Sequence, residues 1–503
     1  MHRRILTAAL PLLAVVLSGC AAPAGTPHST GSAGRPPNIL LITVDDLNDW
    51  TGALGGHPNA STPNIDALAR DGVLFTNAHT QAPLCGPSRA SLLTGLYPTT
   101  SGIYLHIDDR AVHDVNAATR ATLSLPEYFG SRGYRTMGFG KIWHGNDLGH
   151  TFQTYGEPYD WFGPQPAERI NYDPVKGPNY DGLAGTGTDW GAYPSRDEEM
   201  SDYRYASDAI ERLQQEHDRP FFLAVGFVRP HVPWYVPRTW LERHPLEGIH
   251  TPPYRADDLD DVPEIARRMA FMPPMPTTEY LKEENQWAPM VRAYLASTTW
   301  TDHQVGRVLQ ALRESRYADN TIVVLLSDHG YTLGEKGRVA KMSLWERDTH
   351  VPLIVSGPGV PRGVRSSRAV GLIDVYPTLL ELAGLPANSH NEGRSLVPLL
   401  GDPDRAWPYP AMTIFGPRNV SLRTDSVRYT RYEDGSEEYY DHRSDPNEWE
   451  NLAHPAVRSP ALAAEIDRLR AFIPTDPAPL AEASSFDMNP YFRERMPVWR
   501  EAP

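Results

Sequence analysis

Ile39 to Val44 is an unbroken apolar run that stops abruptly at Asp45 and Asp46. This pattern constrains the fold more than any other feature of the chain. A strand that is apolar at every residue is buried on both faces, so other layers must cover it from either side. The same grammar recurs three times. "YRTMGFG" runs into Lys141 and His144, "PFFLAVGFVRP" into His231, and "TIVVLLS" into Asp328 and His329. Val291, Leu295, Thr298, Val305, Leu309 and Leu312 recur at helical spacing and predict a long helix over Pro289 to Ser315. Strands alternating with helices predict an α/β fold. Ligands of open α/β sheets bind outside the carboxyl ends of the strands. Four strand ends carrying Asp-Asp, Lys…His, His and Asp-His therefore point to one site.

Local signals fill in the rest. Thr62 reads as an N-cap, Pro63 as a first turn, Ile65 and Leu68 as one buried face and Gly72 as a stop. Beyond "RAWPYP" (Arg405 to Pro410) the grammar changes to short strands: Val420 to Arg423, then a hairpin turning at Asp434-Gly435. A last helix starts at Ser459-Pro460, with Leu462, Ile466, Leu469 and Phe472 on one face. We read residues 38–404 as the main α/β domain and 405–503 as a smaller antiparallel-sheet domain with a helix.

The first residues, "MHRRILTAALPLLAVVLSGC", have a basic head and an apolar run from Ile5 to Leu17. That run is shorter than the roughly 20 residues that span a bilayer, and it has the form of an export signal over residues 1–19. Leu17-Ser18-Gly19-Cys20 resembles the lipobox of bacterial lipoproteins, which implies cleavage before Cys20 and lipid on it. Residues 20–37, rich in Ala, Gly, Ser, Thr and Pro, read as a flexible tether. The expectation is an exported lipoprotein of the bacterial cell envelope, periplasmic or at the surface, held to the membrane through Cys20. Loss of Arg3 and Arg4 with the signal takes the formal charge from −15 to −17. Such a chain lacks the basic balance of a nucleic-acid binder. An anionic substrate would have to be drawn in by local cations or a metal.

With Cys20 lipidated, Cys85 has no partner for a disulfide. Pro87 fits a helix first turn and Gly95 its stop, so Cys85 sits at a helix N-terminus, where anions are favoured. Asp45, Asp46 and Asp328 would repel one another without a cation between them. Their hard oxygens suit Ca²⁺ or Mg²⁺ better than zinc, and His329 adds one nitrogen.

Cys85-Gly86-Pro87-Ser88-Arg89 matches the Cys-x-Pro-x-Arg signature of the type I sulfatases. "PNILLITVDDLND", "GFGKIWH", "PHVPW" and "SDHGYTLGEKG" follow in that family's order. The chain thus resembles the type I sulfatases, most of all the iduronate-2-sulfatase-like branch, in which the fourth metal ligand is histidine, as His329 is here. The resemblance implies an alkaline-phosphatase-like fold: a large central mixed sheet flanked by helices, plus the smaller C-terminal antiparallel domain. It implies that a formylglycine-generating maturase oxidises Cys85 to formylglycine. The hydrated aldehyde attacks sulfur, expels the alcohol and then releases sulfate, a step that serine could not perform. One calcium ion per chain is implied on Asp45, Asp46, Asp328, His329 and the matured Cys85. Arg89 would hold the nucleophile and offset charge. Lys141, His144 and Lys341 would contact the sulfate group, and His231 would act as general acid at the leaving oxygen.

Arg338 and His106 are further candidates for lining the pocket, and His350 reads as structural. The expected substrate is a sulfated sugar or glycan, with Trp143, Tyr155, Tyr159, Trp161, Trp234 and Tyr235 offering ring faces. Two rival readings stay open. One is a phosphate or phosphonate ester hydrolase of the same superfamily. The other is a non-catalytic lipoprotein that binds sulfated glycans.

Overall fold

The computed structural model describes residues 35–145, 151–159, 163–175, 187–271 and 275–484. The expected signal, the expected tether up to residue 34 with Cys20, and also Trp161, lie outside those residues. Among the described residues no helix is long and apolar enough to cross a membrane.

Nine strands form a mixed central sheet: β1 (Asn38–Val44), β2 (Gly72–His79), β3 (Arg135–Gly140), β4 (Thr154–Tyr155), β5 (Phe221–Phe227), β6 (Thr321–Ser327), β7 (His350–Ser356), β8 (Val364–Ser366) and β9 (Val370–Gly371). Their order is β8-β2-β7-β6-β1-β5-β3-β4, with β9 also pairing with β2. β6, β1, β5 and β3 are adjacent and parallel, whereas β7 runs antiparallel to both neighbours. Val44 lies opposite both Ser327 and Phe227, and Gly140 lies opposite Gly226. The carboxyl ends of the four parallel strands are therefore level.

All seven residues of β1 are buried, and so are all those of β5 and β6. Alternation explains it. Ile39, Leu41, Phe222, Ala224, Ile322 and Val324 enter one core. Leu40, Ile42, Val44, Leu223, Val225, Val323 and Leu325 enter the other. The first core includes α2 (Cys85–Thr94). The second is covered by α1 (Pro63–Arg70), α3 (Ser201–Gln214) and α4 (Trp287–Glu314). Each fully buried aliphatic side chain contributes about 1.5–3 kcal/mol, so an apolar run without polar breaks is what two covered faces select.

Two sequence expectations need correction and a third needs refinement. Gly72 does not stop α1: the helix ends at Arg70, and Gly72 opens β2, a strand the sequence reading did not anticipate. It is glycine because a Cβ there would lie 2.2 Å from the carbonyl oxygen of Val355. Thr62 does hold the N-cap position of α1, but its side chain accepts from Gly52 N and donates to Asp66 and makes no bond to the helix N–H groups. Phe472 falls beyond the last helix, α5 (Pro460–Arg470), and is 43% exposed, while Ile466 and Leu469 are buried.

A separate four-stranded antiparallel sheet comprises β10 (Ala411–Ile414), β11 (Val420–Arg423), β12 (Val427–Arg431) and β13 (Glu437–Asp441). The β12–β13 turn uses Gly435 at φ +87°, a backbone state that glycine adopts without strain. β10 is tied to the segment before Cys85 by Ile414 N donating to Gln81 O at 2.9 Å.

Arg428 of β12 is fully buried and is the hub of this sheet. Its Nε donates to Glu448 at 2.6 Å, and its other donors reach Glu346, Thr349, Ser421 and the carbonyl of Leu344. Arg423 and His442 complete the network on Glu346 and Glu448. Glu346, His442 and Glu448 are close enough together to hold a metal, but the two guanidinium groups already neutralise the carboxylates. Burial alone would raise the Glu448 carboxyl, yet Arg428 and His442 outweigh it and bring it down to about 2. A carboxyl depressed in the folded state stabilises the protein above its unfolded value of 4.5 and loses that stabilisation as pH falls towards 2. Removing Arg428 leaves the buried Glu448 carboxylate without its main cation and takes one of two arginines from Glu346, which costs about 3–5 kcal/mol. Arg428→Ala should therefore lower the thermal midpoint and move acid unfolding, followed by circular dichroism, to higher pH.

Candidate active site

Most candidate side chains leave the sheet at the carboxyl end of a parallel strand or lie on the helix facing it; Lys341 instead follows a short strand, Val339–Ala340, outside that sheet. Asp45 and Asp46 follow β1, Lys141 follows β3, and Asp328 and His329 follow β6. His231 lies four residues beyond β5. The β3 and β5 ends approach closely because Gly226 has no side chain: a Cβ there would lie 1.9 Å from the Lys141 carbonyl oxygen. Lys141 N donates to Gly226 O at 2.9 Å, which aims the lysine at Asp45. Cys85 is the first residue of α2, which ends at Gly95 with φ +73°. Ser88 and Arg89 lie one turn later and face the same way.

The centre is a buried charge lattice. Lys141 Nζ lies 2.5 Å from Asp45 Oδ2. Arg89, with no exposed side-chain surface, spans Asp45 at 3.3 Å and Asp328 at 2.8 Å. It also donates to the carbonyls of Lys141 and Ile142. Lys341 Nζ sits 2.8 Å from Asp46 Oδ1 and 2.9 Å from Cys85 Sγ. His329 Nε2 is 3.1 Å from that sulfur and 3.4 Å from Asp46 Oδ1. His329 Nδ1 donates to the carbonyl of Gly330 at 2.8 Å, which leaves Nε2 to act as a ligand. His231 Nε2 is 3.9 Å from Asp46 Oδ2. Asp46 takes a left-handed backbone, φ +60°, uncommon for a residue with a side chain. Its carbonyl accepts from Tyr294 at 2.8 Å and its N–H donates to Asp328 at 3.2 Å, and these contacts hold it there.

The electrostatics divide the carboxylates. Burial would raise Asp45, but Lys141, His231, Arg89 and Lys341 hold it well below the usual range. Asp46 is pushed up by burial and by the charges of Asp45 and Asp328, with Lys341 opposing. Its Oδ2 is buried with no hydrogen-bond partner. Burial would lower His329, yet Asp328 and Cys85 bring it up to about 9. Carboxylates that repel, an orphaned carboxylate oxygen and an imidazole drawn to positive charge all fit a cation bound among them. Asp45, Asp46, Cys85 and His231 form one group within ligand reach, and Asp45, Cys85, Asp328 and His329 form another.

The structure thus brings together Asp45, Asp46, Cys85, Arg89, Lys141, His231, Asp328, His329 and Lys341. His144 stands close by, its ring stacked on His106 at 3.7 Å. Arg338 does not line a pocket: it is 2% exposed and clamps Ala270 O, Lys341 O and Asp348. His350 packs against His79 and hydrogen-bonds Thr76 O. Nor do the aromatic candidates among the described residues present open faces. Trp143, Trp234 and Tyr235 are at most 2% exposed, and the Tyr155 hydroxyl is bound to the Gly140 carbonyl. Tyr159 is half-buried and bonded to Asp208.

Two contributors escaped the sequence reading. Ser88 Oγ donates to the Asp328 carbonyl at 2.5 Å, and its position one turn after Cys85 could have revealed it. Asp109, which holds Gly145 N, gives no local signal.

The Sulfatase family model matches residues 37–385. A second model, N-sulphoglucosamine sulphohydrolase, C-terminal, matches residues 334–470. A sulfatase of Formosa agariphila is 44% identical over 462 residues, covering 91% of this chain and 90% of that protein. Human iduronate 2-sulfatase is 32% identical over 420 residues, covering 74% of each chain. The crystal structure of a phosphonate monoester hydrolase of Agrobacterium radiobacter superposes with a TM-score of 0.69 at 24% identity, covering 86% of this chain and 95% of that one. At that identity the likeness speaks for the fold alone.

Proposed function

The chain belongs to the sulfatase family and is a sulfuric ester hydrolase, and from that premise we propose that it desulfates a sugar or glycan through a formylglycine made from Cys85, beside one calcium ion. The observation that carries this reading is the setting of Cys85 Sγ. It starts a helix and lies 2.9 Å from Lys341 Nζ and 3.1 Å from His329 Nε2. That sulfur marks where the oxygen of the matured residue would stand. When present, formylglycine supplies a hydrated aldehyde, whose second hydroxyl provides the route by which sulfate leaves. Asp45, Asp46, Asp328 and His329 would hold the calcium, which supplies Lewis acidity to a sulfate oxygen.

The remaining work falls to this chain's own side chains. Arg89 fixes Asp45 and Asp328 and offsets their charge. Lys341 bridges the nucleophile position and Asp46, and places a cation where the anionic ester must sit. Lys141 and His144 would contact the sulfate group. His231 Nδ1 donates to the Val232 carbonyl at 2.7 Å, so Nε2 is the atom that exchanges a proton with the leaving oxygen. Burial and Lys341 keep this imidazole neutral, and an incoming sulfate ester would raise its proton affinity again.

The relatives' names support a sulfated sugar, since iduronate is a sugar acid. The test is a desulfation panel of heparan, chondroitin, ulvan and fucoidan oligosaccharides, with free sulfate measured by ion chromatography. Release from at least one is expected. Turnover of choline sulfate or a steroid sulfate alone would overturn the sugar assignment, and cleavage of phosphonate esters alone would overturn the whole reading. The peptide containing Cys85 should show the mass change of CH₂SH becoming CHO.

The same reading includes export and lipid attachment at Cys20. Full-length protein should partition into detergent, and Cys20→Ser should move it to the aqueous phase.

A further inference from the structure

His144 lies at the end of the short segment that follows β3, and a second segment, 106–109, grips it. The His106 ring stacks on the His144 ring with centroids 3.7 Å apart and planes 20° from parallel. His106 is 9% exposed, and its Nδ1 is buried without a hydrogen-bond partner. The ring fills the space that a side chain at position 86 would take: a Cβ on Gly86 would lie 2.5 Å from His106 Nδ1. Three residues on, the Asp109 carboxylate accepts from the N–H of Gly145, the residue after His144. That approach is also made possible by a glycine, because a Cβ on Gly145 would lie 2.9 Å from the same oxygen.

We infer that His106 and Asp109 are positioning residues for His144: one fixes the plane of its ring and the other fixes the backbone that carries it. The inference rests on the reading of His144 as a sulfate contact. Its physics is simple. Both imidazoles are held neutral, His106 by burial and by Lys341 and Lys141, and His144 by burial, His106 and Lys141. They can therefore stack without charge repulsion, as flat rings do at this distance. A ring freed from its stack samples other rotamers, and each of those misplaces the donor aimed at sulfate. An error of about 1 Å at a reacting centre costs about 100-fold in rate.

The test is a double-mutant cycle read on an aryl sulfate, with thermal unfolding as a check on the fold. His106→Ala should lower kcat about 10- to 100-fold in the wild-type background. It should cost almost nothing further in a His144→Ala background, because the residue it positions is gone. His106→Phe, which keeps the flat ring and lacks both nitrogens, should return activity close to wild type. Equal losses in the two backgrounds, or a Phe variant as poor as the Ala variant, would overturn the inference. If His106→Ala does not fold, Asp109→Ala takes its place in the same cycle with the same two readings. If His144→Ala itself costs nothing, the sulfate-contact reading falls and takes this inference with it. An impaired His144→Ala with an additive cycle removes the positioning role alone.

Discussion

Cys85→Ala, purified from a host that matures the wild type, should release sulfate from an aryl sulfate about 10⁴-fold more slowly or worse, as expected when a covalent nucleophile is removed. The fold should survive. The side chain is small, and its loss leaves the Asp45–Lys141 and Arg89–Asp328 pairs intact. Thermal midpoints of the two proteins should therefore differ little, which separates loss of chemistry from loss of structure. Cys85→Ser should be nearly as inactive unless the maturase accepts serine, because a serine hydroxyl has no neighbour on the same carbon to expel sulfate. If Cys85→Ala hydrolyses the ester as well as wild type, Cys85 is not the nucleophile, and Lys341 and His329 surround it for another reason.

The parts legible in the sequence share a physical cause. β1, β5 and β6 are buried on both faces, so their composition had no freedom and their ends were sharp. Asp45, Asp46, Asp328 and His329 could be read because each lies directly at such an end. β2 was hidden for the opposite reason. Its sequence "GVLFTNAH" carries Asn77 and His79, which bond one another and reach Thr349, Ser367 and Thr424, partners that lie far away in the sequence. Gly72 looked like a helix stop, yet it is glycine to clear Val355, a contact 283 positions away in sequence. Lys341 follows only a two-residue strand, Val339–Ala340, outside the central sheet, and only the resemblance suggested it. The structure fixes it through neighbours: Arg338 binds its carbonyl, and Met342 N donates to Pro83 O at 3.1 Å. The aromatic residues misled because ring-rich loops look alike whether the rings face a ligand or each other. Trp234 packs edge-on against Tyr294 and Tyr331.

The metal carries the second large effect. Asp45, Asp46 and Asp328 converge in a site with almost no solvent to separate their charges, and Lys141, Arg89 and Lys341 do not satisfy every oxygen: Asp46 Oδ2 has no hydrogen-bond partner. A bound divalent cation would fill that deficit. Exhaustive chelation should therefore lower activity about 10³-fold or more, and calcium should restore it. The same binding must appear as stability. Calcium at about 100 times its Kd adds about 2.7 kcal/mol to the folded state, so the thermal midpoint should climb with calcium and fall with chelator. Asp328→Asn separates the metal from the scaffold. It keeps the shape and one oxygen but removes the charge 2.8 Å from Arg89 Nε, leaving a buried guanidinium with Asp45 as its other carboxylate. Its kcat should drop about 10³-fold or more, and its calcium-dependent rise in thermal midpoint should shrink. Asp45→Asn should behave alike, because Asp45 holds both Lys141 and Arg89. Elemental analysis decides the ion. One calcium per chain fits the oxygen-rich set, whereas two zinc ions per chain would support the rival reading as a phosphate ester hydrolase. A protein fully active after chelation, with a midpoint indifferent to calcium, would show that Lys141, Arg89 and Lys341 suffice to neutralise the three aspartates.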